Sequence, residues 1–262
     1  MPIRRFLEVL RDRTHRTDMT EASYWDDRAK TRSGYARSVW HSESFSRVWD
    51  MRQQALLQTT LREHLGDLSG KKIADVGCGT GRVTRFLASV GASPVGYDFS
   101  PNTVEAADLE TKDAGLSAEF VVADITSGEL PAEEGTFDAT MTVGCLAVAC
   151  KDLSSLERAL VAMARVTKKG GIVLLLEPIH STKLLGRVLR APVAAWTLSA
   201  DRAGLSLVAD KGMGFVPARL ALSSVDLPSW MVEPAFAIGE VALDAVPLLE
   251  RAADYRMLVF RK

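Results

Sequence analysis

From Ile73 onward the hydrophobic positions follow two alternating rhythms. Short apolar runs occur at Ile73–Val76, Pro94–Asp98, Glu119–Ala123, Phe137–Val143 and Gly170–Leu176. Between them, apolar residues recur every third or fourth position, as at Leu153, Leu156, Leu160, Met163 and Val166 within Asp152–Thr167. The first rhythm reads as buried strands and the second as amphipathic helices. Strands alternating with helices predict an α/β fold with parallel strands joined by right-handed crossovers.

The ends of the chain differ from this middle. Residues 1 to about 68 lack strand patterning and read as helices. Ile3, Phe6, Leu7 and Leu10 share a helical face, while Arg4, Arg5, Arg11 and Arg13 lie largely elsewhere. A second helical element spans Thr20–Ala29, and a third, Val48–Leu65, carries Leu56, Leu57, Leu61 and Leu65 inward. Toward the carboxyl end, Lys183–Trp196 reads as another amphipathic helix, and Leu205–Lys211 and Tyr255–Arg261 as two more strands. The stretch Gly212–Asp254 between those strands is far longer than a hairpin needs, and it is rich in apolar residues and prolines. Such insertions usually act as lids or substrate walls.

The most informative stretch is Lys71–Arg82, KKIADVGCGTGR. A short strand runs into glycines at alternate positions, Gly77, Gly79 and Gly81, and Asp75 stands two residues before the first. Glycines let the chain bend sharply and let a ligand lie against bare backbone. In open α/β sheets, ligands bind at this carboxyl end of the strand. The dinucleotide pattern G-x-G-x-x-G would require glycine where Arg82 stands. An acid before the glycines also repels a pyrophosphate but suits a ligand with a cationic amino group.

The loop D-V-G-C-G-T-G resembles motif I of the class I S-adenosylmethionine-dependent methyltransferases. The resemblance extends downstream, over roughly residues 70 to 177. The second strand ends in Asp98, where the family places an acid on the two ribose hydroxyls, followed by Phe99 and Ser100 against the adenine. Asp124-Ile125 after the third strand resembles the family's adenine contact, and Val143, Gly144 and Cys145 close the fourth strand. Tyr24-Trp25-Asp26-Asp27-Arg28 is similar to a Y-W-x-x-R-A stretch that folds over the cofactor; pinning this helix to the core is the other reading of Tyr24 and Trp25.

The resemblance implies a Rossmann-like, seven-stranded, mostly parallel sheet with an antiparallel last strand. It also implies a helical cap over residues 1–68 and a methyltransferase core over 69–262, with 178–200 and 212–254 as substrate-side helices or lid. S-adenosyl-L-methionine is the implied cofactor. Candidate acid–base groups lie after the fifth strand, at Glu177 and His180, because His15, His41 and His64 fall in the helical N-terminal region. Glu177 has bracing of the loop as its alternative, and His180 has a capping role ahead of Ser181-Thr182.

Composition narrows the function. The 262 residues are 47% hydrophobic and 25% charged, ordinary for a protein with a large core. A net charge of −1 argues against a nucleic-acid binder. Three cysteines, Cys78, Cys145 and Cys150, show no metal spacing and suit a reducing, cytoplasmic setting. No metal site, signal peptide or transmembrane span is expected. The expected activity is methyl transfer to oxygen or nitrogen of a small, partly hydrophobic acceptor such as a secondary metabolite. A lipid or lipid-linked sugar at a membrane surface, and a non-catalytic cofactor-binding module, are the alternatives. A homodimer stays open.

Overall fold

The computed structural model describes residues 18–31, 42–182, 185, 187–223, 227–246, 249 and 252–262. The amphipathic segment with Ile3, Phe6, Leu7 and Leu10, together with His15 and His41, lies outside them. Among the described residues, two α-helices, α1 (Ala22–Thr31) and α2 (Glu43–Leu65), precede the first strand. The alternating part follows as β1 (Lys72–Val76), α3 (Arg82–Ser89), β2 (Ser93–Asp98), α4 (Pro101–Asp113), β3 (Glu119–Val122) and β4 (Phe137–Val143). Next come α5 (Leu146–Ala149), α6 (Leu153–Val166), β5 (Thr167–Glu177) and α7 (Val193–Arg202). The chain closes with β6 (Ser206–Phe215), α8 (Val216–Leu222), α9 (Ser229–Ala245) and β7 (Ala253–Arg261).

The strands form one seven-stranded sheet in the order β3-β2-β1-β4-β5-β7-β6. Neighbours from β3 to β5 are parallel, and β7 runs antiparallel between β5 and β6. The order reverses beside β1, so the crevice beyond the carboxyl ends of β1 and β4 is the topological switch point.

Strand period two divides the core into two layers. Val173 and Leu175 of β5 face Leu156, Leu160 and Met163 of α6 and Trp196 of α7, all buried. Ile172, Leu174 and Leu176 face the other way, toward a layer that includes Phe45, Trp49, Leu57 and Leu61 of α2. The helix before β1 is therefore part of the main core. Local signals set its ends: Ser42 accepts from the Phe45 amide at 3.3 Å, and Gly66 closes the last turn with a positive φ. Asp152 and Ser155 form a reciprocal capping box that starts α6.

Two expected elements shift. The helix expected over Lys183–Trp196 begins only at Val193, because Pro192 is extended (φ −70°, ψ 158°) and lacks the amide an interior helical position needs. Lys183 and Leu184 lie outside the described residues. The Lys168–Gly171 turn belongs to β5, but the ladder jumps from Phe137–Thr167 to Ala139–Ile172, so these residues bulge from the pairing. The insert after β6 is mostly helical, with α9 packing Val232 and Phe236 onto Phe45 and Trp49. Among the described residues, no helix is long and apolar enough to cross a membrane.

Trp49 is almost fully buried and touches the rings of Phe45, Phe236 and Tyr255, joining α2, α9 and β7. Replacing it with alanine should cost about 3–5 kcal/mol, the usual range for deleting a buried large aromatic side chain. Urea unfolding followed by far-UV circular dichroism measures this.

Candidate functional site

The turn after β1 forms because β1 and β2 hold it from beneath. The Gly77 and Cys78 amides both donate to the Tyr97 carbonyl, at 2.7 and 3.0 Å. Gly77 has φ +73°, and a Cβ there would stand 2.2 Å from the Cys145 sulfur, so a side chain is excluded twice over. Gly81 serves a different purpose. Its Cβ would stand 3.0 Å from Ala107 and from the Phe120 ring, so its bareness lets α3 seat against α4 and β3.

Above this turn lies a cavity of about 140 Å³. Its floor is Asp75, Gly77 and Gly79, and its walls are Asp98-Phe99, Asp124-Ile125 and Val143-Gly144-Cys145. Trp25 closes it with Met19 and Thr20, and the Trp25 indole is fixed by a 2.8 Å bond to the Met19 carbonyl. Of the sequence-derived candidates for cofactor contact, Tyr24, Gly81 and Ser100 do not line it. Tyr24 packs edge-on against Trp25 and its hydroxyl accepts from Arg28 at 3.3 Å. Ser100 caps α4 and donates to Asp26, tying α1 to the sheet's rim.

Three carboxylates meet the cavity in different states. Asp75 is buried and accepts from the Thr84 hydroxyl at 2.6 Å; burial pushes its pKa up to about 6 against that bond and the nearby Arg82 charge. Asp98 takes the Gly79 amide on one oxygen, and the Ser100 amide and Thr103 hydroxyl on the other. Its burial also raises its pKa. A carboxylate has about four lone-pair sites, so Asp98 keeps acceptor capacity beyond these three donors. Asp124 sits at the rim and holds Thr126 through one oxygen, leaving the second without a donor among the described residues.

Arg82 and Cys78 also line the cavity, and sequence reasoning did not name them as site residues. The Arg82 guanidinium is held by Asp50 and by Gln53 at 2.6 Å, both on α2. Its place just after the glycines, at the start of α3, was the available signal. A guanidinium beside Asp75 and Asp98 offers both charge signs to a zwitterionic ligand. Burial raises the thiols of Cys78 and Cys145 well above their ordinary value, so both are neutral, inert wall residues.

Neither acid–base candidate reaches the cavity. Glu177 is fully buried, and its carboxylate accepts from the Thr142 hydroxyl and the Cys145, Leu146 and Ala147 amides, at 2.9 to 3.1 Å. Through those bonds it braces the loop after β4. His180 is directed toward β7: its Nε2 donates to the Asp254 carbonyl at 2.9 Å and lies 3.7 Å from the Asp254 carboxylate. Asp254 is also paired with Arg219 at 2.6 Å. Burial opposes ionisation of Asp254, but His180 and the arginines together hold its pKa below the ordinary value. Both candidates are thus held by bonds within the protein, and neither lines the cavity. Among the described residues, no group of three or more His, Cys, Asp or Glu could hold a metal ion.

A family profile described as "Methyltransferase domain" matches residues 73–171, the span from β1 into β5 that builds this cavity. This stretch of the chain is therefore similar to a methyltransferase domain. The demethylmenaquinone methyltransferase of Tropheryma whipplei (strain Twist) is 33% identical over 121 residues, covering 46% of this chain and 47% of that protein. The ubiquinone biosynthesis O-methyltransferase of Ralstonia nicotianae is 35% identical over 107 residues, covering 40% of this chain and 42% of that protein. The chain thus spans about half the length of the curated relatives it matches. Among solved structures, magnesium protoporphyrin IX methyltransferase from Synechocystis PCC 6803 superposes with a TM-score of 0.60 at 15% identity. That match covers 96% of this chain and all of the other, and shows the same fold.

The brace under the loop after β4 has a pH signature. Burial raises the Glu177 pKa to about 7, against 4.5 for an ordinary glutamate, while its donors pull it back. The folded state therefore holds this proton more tightly than the unfolded chain, and stability falls as pH rises from about 4.5 to about 7. The expected loss is on the order of 3 kcal/mol. Glu177→Gln should abolish it, so the stability difference between parent and variant narrows across that window in urea titrations. A constant difference would assign the titration elsewhere.

Proposed function

We propose that the cavity holds S-adenosyl-L-methionine and that the chain transfers its methyl group to oxygen or nitrogen of a small, partly hydrophobic acceptor. The observation that carries this reading is the convergence of Asp75, Asp98 and Asp124 on one cavity floored by the bare backbone at Gly77 and Gly79. Asp98 would accept from the ribose hydroxyls with its spare capacity, and the donor-free oxygen of Asp124 would accept from the adenine amine. Ile125 packs on the ring, while Asp75 and Arg82 meet the ammonium and carboxylate of the amino-acid end. The cofactor supplies a methyl group already attached to a good leaving group.

The protein's own task is then alignment and exclusion of water. Met19, Thr20 and Trp25 cover the cavity, and Val143 to Cys145 with Val148 and Ala149 form its far wall. The Tyr255 hydroxyl lies 3.2 Å from where a Cβ on Gly144 would stand, and burial raises its pKa to about 12, so it faces this wall as a neutral phenol. With Glu177 and His180 engaged elsewhere, the acceptor arrives in nucleophilic form or loses its proton to solvent. The relatives named for demethylmenaquinone and ubiquinone biosynthesis make a quinol-type ring the first acceptor class to test. A lipid-borne acceptor met at a membrane surface is the second reading, favoured by the same names.

Calorimetry with S-adenosylhomocysteine should show saturable heat while NADH shows none; the reverse would overturn this reading. Asp98→Ala should weaken S-adenosylhomocysteine binding about ten- to a hundredfold, the equivalent of losing charged hydrogen bonds worth roughly 1.5–3 kcal/mol. Labelled donor incubated with 1,4-naphthoquinol, and separately with producer-cell extract, tests turnover. Persistent absence of a labelled product would favour a cofactor-binding module.

A further inference from the structure

Helix α9 is apolar on both sides, although among the described residues only one side is packed. Its inner face places Val232, Phe236 and Leu243 in the protein, and Gly239 against Phe215. Its outer face carries Trp230, Ile238 and Val241, exposed by 73, 71 and 66%, with Met231 at 43%. Pro234 and Ala245 are exposed between and beyond them. Positions 230, 234, 238, 241 and 245 follow spacings of four, four, three and four, so they form one continuous stripe along the helix. With Val246 at its end, the stripe presents on the order of 500 Å² of apolar surface, at the upper end of what monomers leave bare.

We propose that this outer face of α9 is the contact surface for a second copy of the chain, packed antiparallel across a two-fold axis near Ile238. The stripe alone covers more than half of the roughly 800 Å² that each partner of a standard interface contributes. A self-complementary ridge is what a two-fold contact requires. The helix contains no lysine or arginine and exposes Glu233, so anionic headgroups gain nothing by meeting it. The small Ala237 and Pro234 beside the axis permit close approach of the two helices. Pairing here would brace α9 from outside while Phe236 holds Trp49, and through it Tyr255, from inside.

Sedimentation equilibrium of the full chain at roughly 50 µM, a concentration at which even a micromolar dimer is largely assembled, should give twice the chain's mass. Ile238→Glu and Val241→Glu together should return it to the mass of a single chain, with circular dichroism unchanged. Both positions are exposed, so the fold does not need them. Mild oxidation should link Ile238→Cys to its partner copy, whereas Trp230→Cys, far from the axis, should link poorly; this pair decides the question even if the glutamate variant misfolds. A single-chain mass for the parent, a dimer that survives both glutamates, or equal linking at 230 and 238 overturns the proposal. So does a single-chain parent that sediments with phosphatidylcholine–phosphatidylglycerol vesicles, which would assign the face to a lipid surface. None of these outcomes depends on which cofactor the cavity holds.

Discussion

The carboxylate of Glu177 at the end of β5 organises the side of the sheet where chemistry can occur. Three backbone amides after β4 point into a region that water does not reach, and one buried carboxylate satisfies all of them together with Thr142. Unsatisfied buried donors are expensive, so this single side chain fixes where the Gly144–Ala147 backbone runs. That backbone is also the cavity's far wall, and its Cys145 sulfur is what presses Gly77 to remain a glycine. The bend after β1 and the wall after β4 are thus two sides of one contact.

Opposing charges meet in the cavity. Asp75 and Asp98 are raised by burial, so a cationic group that draws close is favoured through Coulomb attraction in a poorly screened space. Arg82 faces the same cavity from the start of α3, and Asp50 and Gln53 keep its guanidinium in place. These two residues belong to α2, which also carries Trp49 in the core. The helix that precedes the sheet therefore has a packing face and a polar face that orients the site, and losing either would loosen the other.

The late insert follows the same economy with an unfinished side. Helix α8 supplies Arg219 to a buried pair with Asp254, which in turn holds His180 beside β7. Such pairs specify geometry more than they add stability, because desolvation offsets much of their attraction. Helix α9 completes the layer over Trp49 with its inner residues while its outer stripe stays apolar. A helix that is hydrophobic around most of its circumference is ordinarily buried on both sides, and among the described residues its outer stripe is left exposed.

The strand and helix order, the cavity floor and the carboxylates at 75, 98 and 124 were legible from the sequence. They depend on local rules: period-two burial, glycines where the backbone must bend, and acids at strand ends. Even the roles left open between alternatives, such as Glu177 as brace or participant, concerned contacts far apart in the chain. Glu177 meets amides some thirty residues earlier, Arg82 meets Asp50 and Gln53 from the opposite direction, and His180 meets Asp254 across most of the insert. No sequence period encodes such pairings, because sheet order and helix seating decide which distant groups share one buried volume. Local chemistry could say which residues were able to act, whereas only the closed tertiary structure decided which of them face the cavity and which are held in the frame around it.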